Sequence, residues 1–280
     1  MESIILKLPA PAKLNLFLHI TGQRENGYHE LQTAFQFLDY CDQITLTLTL
    51  TSSEVRRLSE HPLVPEEDDL TVRAAKLLQK HTGTTLGVDI VIDKQLPMGG
   101  GLGGGSSDAA TVLLGCNKLW SLGLSRQVLA EIGLQLGADI PIFIYGQAAW
   151  AEGIGEQLTP INPEEKWYVI VRPNVSISTV KIFRQKGLTR DCEPIKIATF
   201  LAGHGTNVLE PVVRKLSSEV DQAIKWLSTY SPARMTGSGS CVFAAFDDEK
   251  SAQEVFAMLP EIWEGFVAKG VNTSPLEAFV

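Results

Sequence analysis

The chain has 280 residues, of which 44% are hydrophobic and 20% charged, and its formal net charge is −8. This is the profile of a folded globular protein, long enough for one large domain or two of ordinary size. The acidic balance disfavours a nucleic-acid or anionic-membrane partner, because those surfaces require basic residues. We find no signal-sequence pattern and no apolar run of about 18 residues, and therefore expect a cytoplasmic protein.

The four cysteines are far apart in the sequence and include no C-x-x-C pair: Cys41, Cys116, Cys192 and Cys241. The histidines show no metal-ligand spacing either. We therefore expect reduced thiols and assign no residue as a protein ligand to a metal.

The first predicted element covers residues 4–20, as a strand pair or one long bent strand. Its side chains alternate between an apolar face of Leu14, Leu16, Leu18 and Ile20 and a second face of Lys13, Asn15, Phe17 and His19. On spacing alone, the second face is more often an ordinary solvated surface. A lysine there can also bind phosphate oxygens as a point charge.

The next segment begins with Asn26-Gly27, a strong signal for a tight turn. Tyr28 and His29 follow it, and such a pair more often serves packing than ligand binding. Further strands are predicted between residues 31 and 50, followed by an acidic loop from 52 to 69. Leu70 to His81 has the spacing of an amphipathic helix, with Asp69 as its cap.

A glycine-rich loop lies between a predicted strand over residues 88–92 and a predicted helix. Six of the seven residues from Gly99 to Gly105 are glycine, and Ser106 or Ser107 is the predicted N-cap. A helix N-terminus with many converging N–H groups favours an anion, so this order indicates a phosphate-binding loop rather than a hinge. The Walker pattern fails because no Lys-Ser or Lys-Thr follows, and the Rossmann pattern fails because a second helix over 127–136 replaces the required strand.

Asp139 lies between that second helix and an apolar run that begins Ile140-Pro141. Such an aspartate is commonly a cap or turn residue. In a site with little water, it could instead accept a proton from a hydroxyl group.

The C-terminal half begins after the polar segment 161–166, with a predicted strand over 167–171. Residues 175–183 lead into a helix or turn, where Phe183 is most simply a core residue. A long helix is predicted over 212–230, and a small-residue turn within 233–244 feeds a strand. Residues 245–268 add a helix and a strand.

Residues 97–110, PMGGGLGGGSSDAA, resemble the second motif of the GHMP kinase superfamily. Residues 11–16, PAKLNL, resemble the first motif, and residues 236–240, TGSGS, resemble the third. Residues 137–143, GADIPIF, are similar to the family segment that bears a catalytic aspartate, and the closing segment from Asn272 is similar as well. In the segment 206–210, Val208 replaces the acid usual in the family, so we assign that position no chemistry.

The resemblance implies an α+β fold in two domains, an N-terminal ATP-binding domain of residues 1–162 and a C-terminal ferredoxin-like domain of residues 163–280. The active site is then expected in the cleft between them. Asp139 is implied to accept the hydroxyl proton, and Lys13 to keep Asp139 charged and stabilise the transferring phosphoryl group. The residues implied to bind ATP are Pro97, Met98, Gly99, Gly100, Gly101, Leu102, Gly103, Gly104, Gly105, Ser106 and Ser107.

The G-Y-H segment at residues 27–29 resembles the matching segment in one branch of the GHMP kinase superfamily. The acceptor of that branch carries a cytidyl diphosphate and belongs to non-mevalonate isoprenoid synthesis. The residues implied to bind this acceptor are Asn15, Tyr28, His29 and Phe183. Mg²⁺ is expected together with ATP. The alternatives are a GHMP kinase for another small alcohol, or a nucleotide-binding module without catalysis. We expect a monomer or weak homodimer.

Overall fold

The computed structural model of the protein describes residues 4–25, 27–59 and 64–280. Its mixture of strands and helices confirms the α+β class. The strands are β1 (Ile5–Gln23), β2 (His29–Thr49), β3 (Val55–Arg57), β4 (Gly87–Asp93), β5 (Ala149–Glu152), β6 (Gln157–Pro160), β7 (Trp167–Arg172), β8 (Ala233–Met235), β9 (Val242–Phe246) and β10 (Glu264–Val271). The α-helices are α1 (Leu70–Thr82), α2 (Gly104–Leu119), α3 (Arg126–Leu134), α4 (Ile140–Tyr145), α5 (Thr179–Phe183), α6 (Ile197–Leu201), α7 (Glu210–Leu216), α8 (Ser218–Leu227) and α9 (Glu249–Phe256). Of the predicted tight turn, Asn26 lies outside the described residues.

One sheet runs through both halves of the chain, in the strand order β3-β4-β2-β10-β7-β9-β8. The link between the halves is the antiparallel pair of β10 with β2, where Gly270 lies opposite Leu38 and Val271 opposite Phe37. β1 pairs with β2 along most of its length, and β5 and β6 extend the sheet from β2. The C-terminal strand therefore fixes the second half against the long central strand of the first.

β1 is one long strand rather than a strand pair, and three register shifts interrupt its pairing with β2. The interpretation of its second face as solvated is wrong, since Lys13 is only 2% and Asn15 only 4% exposed. The predicted apolar face is also divided, because Leu14 and Leu18 pack into different cores. The first shift adds two residues to β2 and the other two add one residue each to β1, and such irregularities re-aim the side chains beside them.

The predicted N-cap of the helix after the glycine loop is wrong, and the sequence did not indicate that the run after Asp139 is helical. Neither serine is the N-cap of α2, because Gly103 takes that position with φ of 76°, and the helix begins at Gly104. The apolar run after Asp139 is the short helix α4, with a proline in its first turn, where the missing N–H costs nothing. The predicted strand β4 and helices α1 and α3 are present, and the Asp69 side chain accepts a hydrogen bond from the Thr71 N–H as a cap.

The C-terminal half contains the predicted β7, α9 and β10, but the predicted helix over 212–230 is two helices. Ser217 separates them, with extended backbone angles and a side chain that accepts a hydrogen bond from Val220 N–H as the cap of α8. A capping serine gives the chain a local alternative to continuing the helix. Residues 161–166 have no regular secondary structure, and the predicted division between residues 162 and 163 stays a prediction.

Candidate active site

A cavity of about 1150 Å³ lies between the glycine loop and the C-terminal half. All the residues predicted for the site line it except one: Lys13, Asn15, Tyr28, His29, Asp139, Phe183 and every residue from Pro97 to Ser106. The exception is Ser107, which is fully buried and whose hydroxyl has no hydrogen-bond partner. Because α2 begins three residues before Ser107, this side chain turns towards the core rather than towards the cavity.

The glycine loop is held in one conformation that side chains would prevent. Gly101 has φ of 78°, and a Cβ there would overlap the carbonyl oxygen of Thr236. A Cβ on Gly103 would lie 3.0 Å from Lys13 Cε and 2.9 Å from the Phe143 ring. The loop thus fits closely between both halves of the chain, and the first-turn N–H groups of α2 border the cavity, as a phosphate site requires.

Backbone hydrogen bonds fasten this loop on both sides. Lys13 N–H donates to the Leu102 carbonyl at 2.9 Å, and Cys241 N–H donates to the Gly100 carbonyl at 3.1 Å. The first contact comes from β1 and the second from the loop between β8 and β9. The three segments that resemble the family motifs therefore meet at one place.

The Lys13 ammonium group is buried beside the carboxylate of Asp139, with 3.4 Å between Nζ and Oδ2. Nζ also donates to Asn15 Oδ1 at 2.6 Å and to the Gly101 carbonyl at 3.0 Å. The Asn15 amide in turn donates to Thr33 Oγ1 at 2.9 Å. These contacts orient a positive charge between the glycine loop and Asp139, where it could stabilise a phosphoryl group in transfer.

Asp139 occupies the N-cap position of α4, in the turn that precedes the helix, but its side chain makes no capping hydrogen bond. The expected cap or turn position of this aspartate is therefore confirmed, while its carboxylate is not used in capping. Its side chain remains 38% exposed at the cavity wall. A carboxylate with one buried cation beside it and one side open can accept a proton from a bound hydroxyl group.

Sequence analysis missed a buried ionic cluster behind the glycine loop. Lys94 Nζ donates to Asp42 and, at 2.8 Å, to Asp108 Oδ2. Asp42 Oδ1 also accepts the N–H groups of Gln95 at 2.6 Å and Leu96 at 2.8 Å. Burial, together with the charge of Asp42, raises the pKa of Asp108 to about 7, against the opposing effect of Lys94. The cluster joins β2, the start of the loop and α2, which no sequence spacing reveals.

Sequence analysis also missed two side chains, Asn207 and Glu210, that hold the loop carrying Thr236. The amide of Asn207 is buried and donates to the carbonyls of Met235 and Gly237, both at 2.8 Å. Glu210 Oε2 accepts the Met235 N–H at 3.0 Å. The Asn and Glu of the segment 206–210 were visible in the sequence, but their partners lie about 25 to 30 residues further along the chain.

The other end of the cavity is aromatic and more open. The rings of His29 and Phe183 lie 4.8 Å apart between centroids, tilted by 32°. Tyr28 is 60% exposed at the rim. Burial and the nearby charge of Arg190 lower the pKa of His29, so its neutral form prevails at neutral pH. This arrangement suits a flat, uncharged ring such as a nucleobase.

The family described as GHMP kinases N terminal domain matches residues 69–147, and GHMP kinases C terminal matches residues 187–265. This chain belongs to the GHMP kinase family, and it has the two-part fold of that family. It is therefore an ATP-dependent kinase that acts on a small molecule.

Two curated relatives carry a more specific name than that of the family. The chain is 57% identical over 272 residues to a protein of Nitrosococcus oceani named 4-diphosphocytidyl-2-C-methyl-D-erythritol kinase, over 97% of each chain. A protein of Marinobacter nauticus with the same name is 55% identical, over 97% of this chain and 96% of its own.

Solved structures agree in fold. A crystal structure of 4-(cytidine 5′-diphospho)-2C-methyl-D-erythritol kinase matches with a TM-score of 0.81 at 30% identity, covering 95% of this chain and 99% of that one. Homoserine kinase from Cytophaga hutchinsonii matches with a TM-score of 0.72 at 16% identity, covering 96% and 95%, which shows the fold alone.

Within the described ranges, no helix has the length and apolar character needed to cross a bilayer. The same residues contain no group of three or more His, Cys, Asp or Glu side chains placed to hold a metal ion.

Proposed function

We propose that this kinase transfers the γ-phosphoryl group of ATP to the 2-hydroxyl of 4-(cytidine 5′-diphospho)-2-C-methyl-D-erythritol, in non-mevalonate isoprenoid synthesis. The products are the 2-phosphate and ADP. The single observation that carries the proposal is the pair of Lys13 and Asp139, 3.4 Å apart in the cavity that also contains the glycine loop and the His29–Phe183 contact. The names of the full-length relatives support the same acceptor.

The end of the cavity that contains the glycine loop is called the nucleotide end, and it would bind ATP through backbone groups rather than side chains. The N–H groups at the start of α2 and the glycine loop would surround its phosphates, which is why residues 97–106 line the cavity as a continuous segment. We keep Ser107 out of this set, because its hydroxyl is buried away from the cavity.

The oxygen of the acceptor's 2-hydroxyl group would attack the γ-phosphorus, and Asp139 would take the proton of that hydroxyl group. ADP would leave with the electrons of the broken P–O bond. Lys13 would lie beside the three equatorial oxygens of the γ-phosphoryl group and stabilise their negative charge during the transfer. Asn15 and the Gly101 carbonyl keep the ammonium group of Lys13 in that position. Such reactions depend mainly on positioning and on charge compensation.

Mg²⁺ would reach the site with ATP and neutralise part of the phosphate charge. Ser106 borders the cavity at the first turn of α2 and is the hydroxyl nearest in sequence to the phosphate loop.

We further propose a cytoplasmic enzyme, a monomer or weak homodimer without a nucleic-acid partner, divided into domains between residues 162 and 163.

The acceptor end would bind the cytosine ring beside Phe183 and the edge of His29, with Tyr28 at the rim. Arg184 also lines the cavity here and is exposed. A cation next to the aromatic contact suits an acceptor whose base is followed by a diphosphate.

The proposal is tested by ADP release with ATP and Mg²⁺ in the presence of four acceptors. These are the cytidyl compound, 2-C-methyl-D-erythritol 4-phosphate, homoserine and mevalonate. We expect turnover with the cytidyl compound alone. Faster turnover with one of the other alcohols would identify that alcohol as the acceptor in place of the cytidyl compound. ATP binding without turnover on any alcohol would overturn the catalytic assignment.

A further inference from the structure

Arg190 connects the two segments that form the acceptor end of the cavity. It lies in the loop that follows α5, and its side chain is half-buried. The guanidinium group donates to the carbonyls of Phe183 at 2.7 Å, Gln185 at 3.0 Å and Leu188 at 3.1 Å. Its Nε also donates to His29 Nε2 at 3.3 Å. One side chain therefore ties the end of α5 to the start of β2.

The contact with His29 determines where the imidazole carries its proton. An arginine side chain can only donate hydrogen bonds, so Nε2 of His29 must accept and has no proton. A neutral histidine then carries its proton on Nδ1. Protonation of Nε2 would place two positive groups together and remove the hydrogen bond.

This tautomer matters for the recognition of a base. Cytosine presents acceptors at N3 and O2, whereas uracil presents an N–H donor at position 3. A histidine that can only donate through Nδ1 is suited to the cytosine edge and would meet a donor on uracil. A site that donates to a particular acceptor rejects an analogue without it, because a buried polar group is left unpaired.

We propose that Arg190 is a positioning residue for the cytosine ring of the acceptor. It fixes His29 as the Nδ1–H tautomer and holds the backbone of Phe183, whose ring faces the imidazole at 4.8 Å. The inference rests on the proposed function, since only an acceptor with a base requires it. Arg190 itself does not line the cavity, so it acts through His29 and Phe183.

The first test replaces Arg190 and compares the two substrates. For Arg190→Met we expect the KM of the cytidyl acceptor to rise about tenfold, while kcat and the KM of ATP stay within about twofold. Arg190→Lys should give a partial effect, because an ammonium group cannot reproduce the planar array of donors. Arg73→Met is the matched control, since Arg73 is an exposed arginine on α1 that does not line the cavity.

A second readout is specific to the histidine. In protein labelled with ¹⁵N-histidine, the His29 resonances, assigned with His29→Gln, should show an unprotonated Nε2 in the wild type. In Arg190→Met they should move towards a mixture of tautomers. The preference for the cytidyl acceptor over its uridyl analogue, as a ratio of kcat/KM, should fall about tenfold in the same variant.

The outcomes separate the inference from the function on which it rests. Unchanged acceptor KM and unchanged His29 resonances in Arg190→Met would overturn the positioning role. Equal losses for ATP and acceptor, with a lowered Tm, would also overturn it, because they indicate general structural damage. If the wild type fails to turn over the cytidyl compound, the proposed function falls, while the His29 resonances still test the contact with Arg190.

Discussion

The two ends of the cavity are built in different ways. At the nucleotide end, most of the charged groups are buried and multiply bonded: Lys13 is 2%, Asp42 0% and Asp108 4% exposed. Asp139 differs from these three, since its side chain keeps one side open to the cavity. At the acceptor end, Tyr28 is 60% exposed, and the His29 ring that contacts Phe183 accepts one hydrogen bond from Arg190 in the loop after α5. The first end is part of the protein core, whereas the second is assembled on its surface.

This difference matches what each end must do. Phosphoryl transfer needs fixed charges and fixed distances, so its groups are placed where packing holds them. Recognition of the acceptor needs only a few contacts, and these can change without disturbing the core. Homoserine and mevalonate kinases share the fold at about 15% identity, so the same frame is compatible with other acceptors.

The largest effect is expected at the nucleotide end, for Asp139→Asn. The amide keeps the shape of the side chain but cannot accept the hydroxyl proton, so kcat should fall at least about a hundredfold. The affinity for ATP, measured by titration calorimetry, should change little. Asp247→Asn removes an exposed carboxylate remote from the chemistry and is the control. Turnover near the wild-type rate in Asp139→Asn would refute the assigned role.

A smaller loss is expected when the glycine loop is filled. Gly101→Ala places a methyl group against the Thr236 carbonyl, so the KM of ATP should rise at least about tenfold. Gly123→Ala is the matched control, because Gly123 also has a positive φ, of 66°, but nothing lies within 4 Å of its missing Cβ. The control should lower stability by about 1 kcal/mol and leave kinetics alone. Equal kinetic effects of both changes would show that close approach is unimportant.

At the acceptor end, Phe183→Leu should raise the KM of the cytidyl compound about fivefold without affecting ATP. The leucine keeps apolar volume but removes an aromatic face, and such stacking is worth about 1 kcal/mol. Phe266→Leu provides the comparison, since Phe266 stacks on Tyr40 at 3.9 Å and does not line the cavity. A shift in the KM of ATP rather than of the acceptor would reverse the assignment of the two ends.

The smallest effect concerns stability and pH. In the folded protein the pKa of Asp108 is raised to about 7 from an ordinary 3.8, so its neutral form favours folding. That contribution is complete below pH 4 and is lost as the pH rises to about 7. Asp108→Asn should therefore match the wild type in urea unfolding near pH 4 and exceed it at pH 8. A difference that is constant across this range would exclude the titration of Asp108 as its cause.

The segments in which local sequence determines structure were predicted well. The strand, glycine loop and helix around residues 88–119 follow from hydrophobic periodicity and glycine chemistry, although Gly103 rather than a serine starts the helix. Asp139 was selected through the family resemblance, while its distance from Lys13 needed the structure.

The features that could not be predicted depend on partners far apart in the chain. Lys94 meets Asp42 across 52 residues, and Arg190 meets His29 across 161. Neither contact leaves a periodic or motif signal, because each depends on how strands and loops pack. The bulges in β1 likewise re-aim side chains that simple alternation assigns to one face.

The most direct test of the central claim is ³¹P NMR of a reaction of the wild type with ATP, Mg²⁺ and the cytidyl acceptor. We predict one new phosphomonoester resonance on the acceptor, whose diphosphate remains intact, in proportion to the ADP formed. ADP with inorganic phosphate and an unchanged acceptor would contradict the account, because it would leave an ATPase without the proposed alcohol substrate.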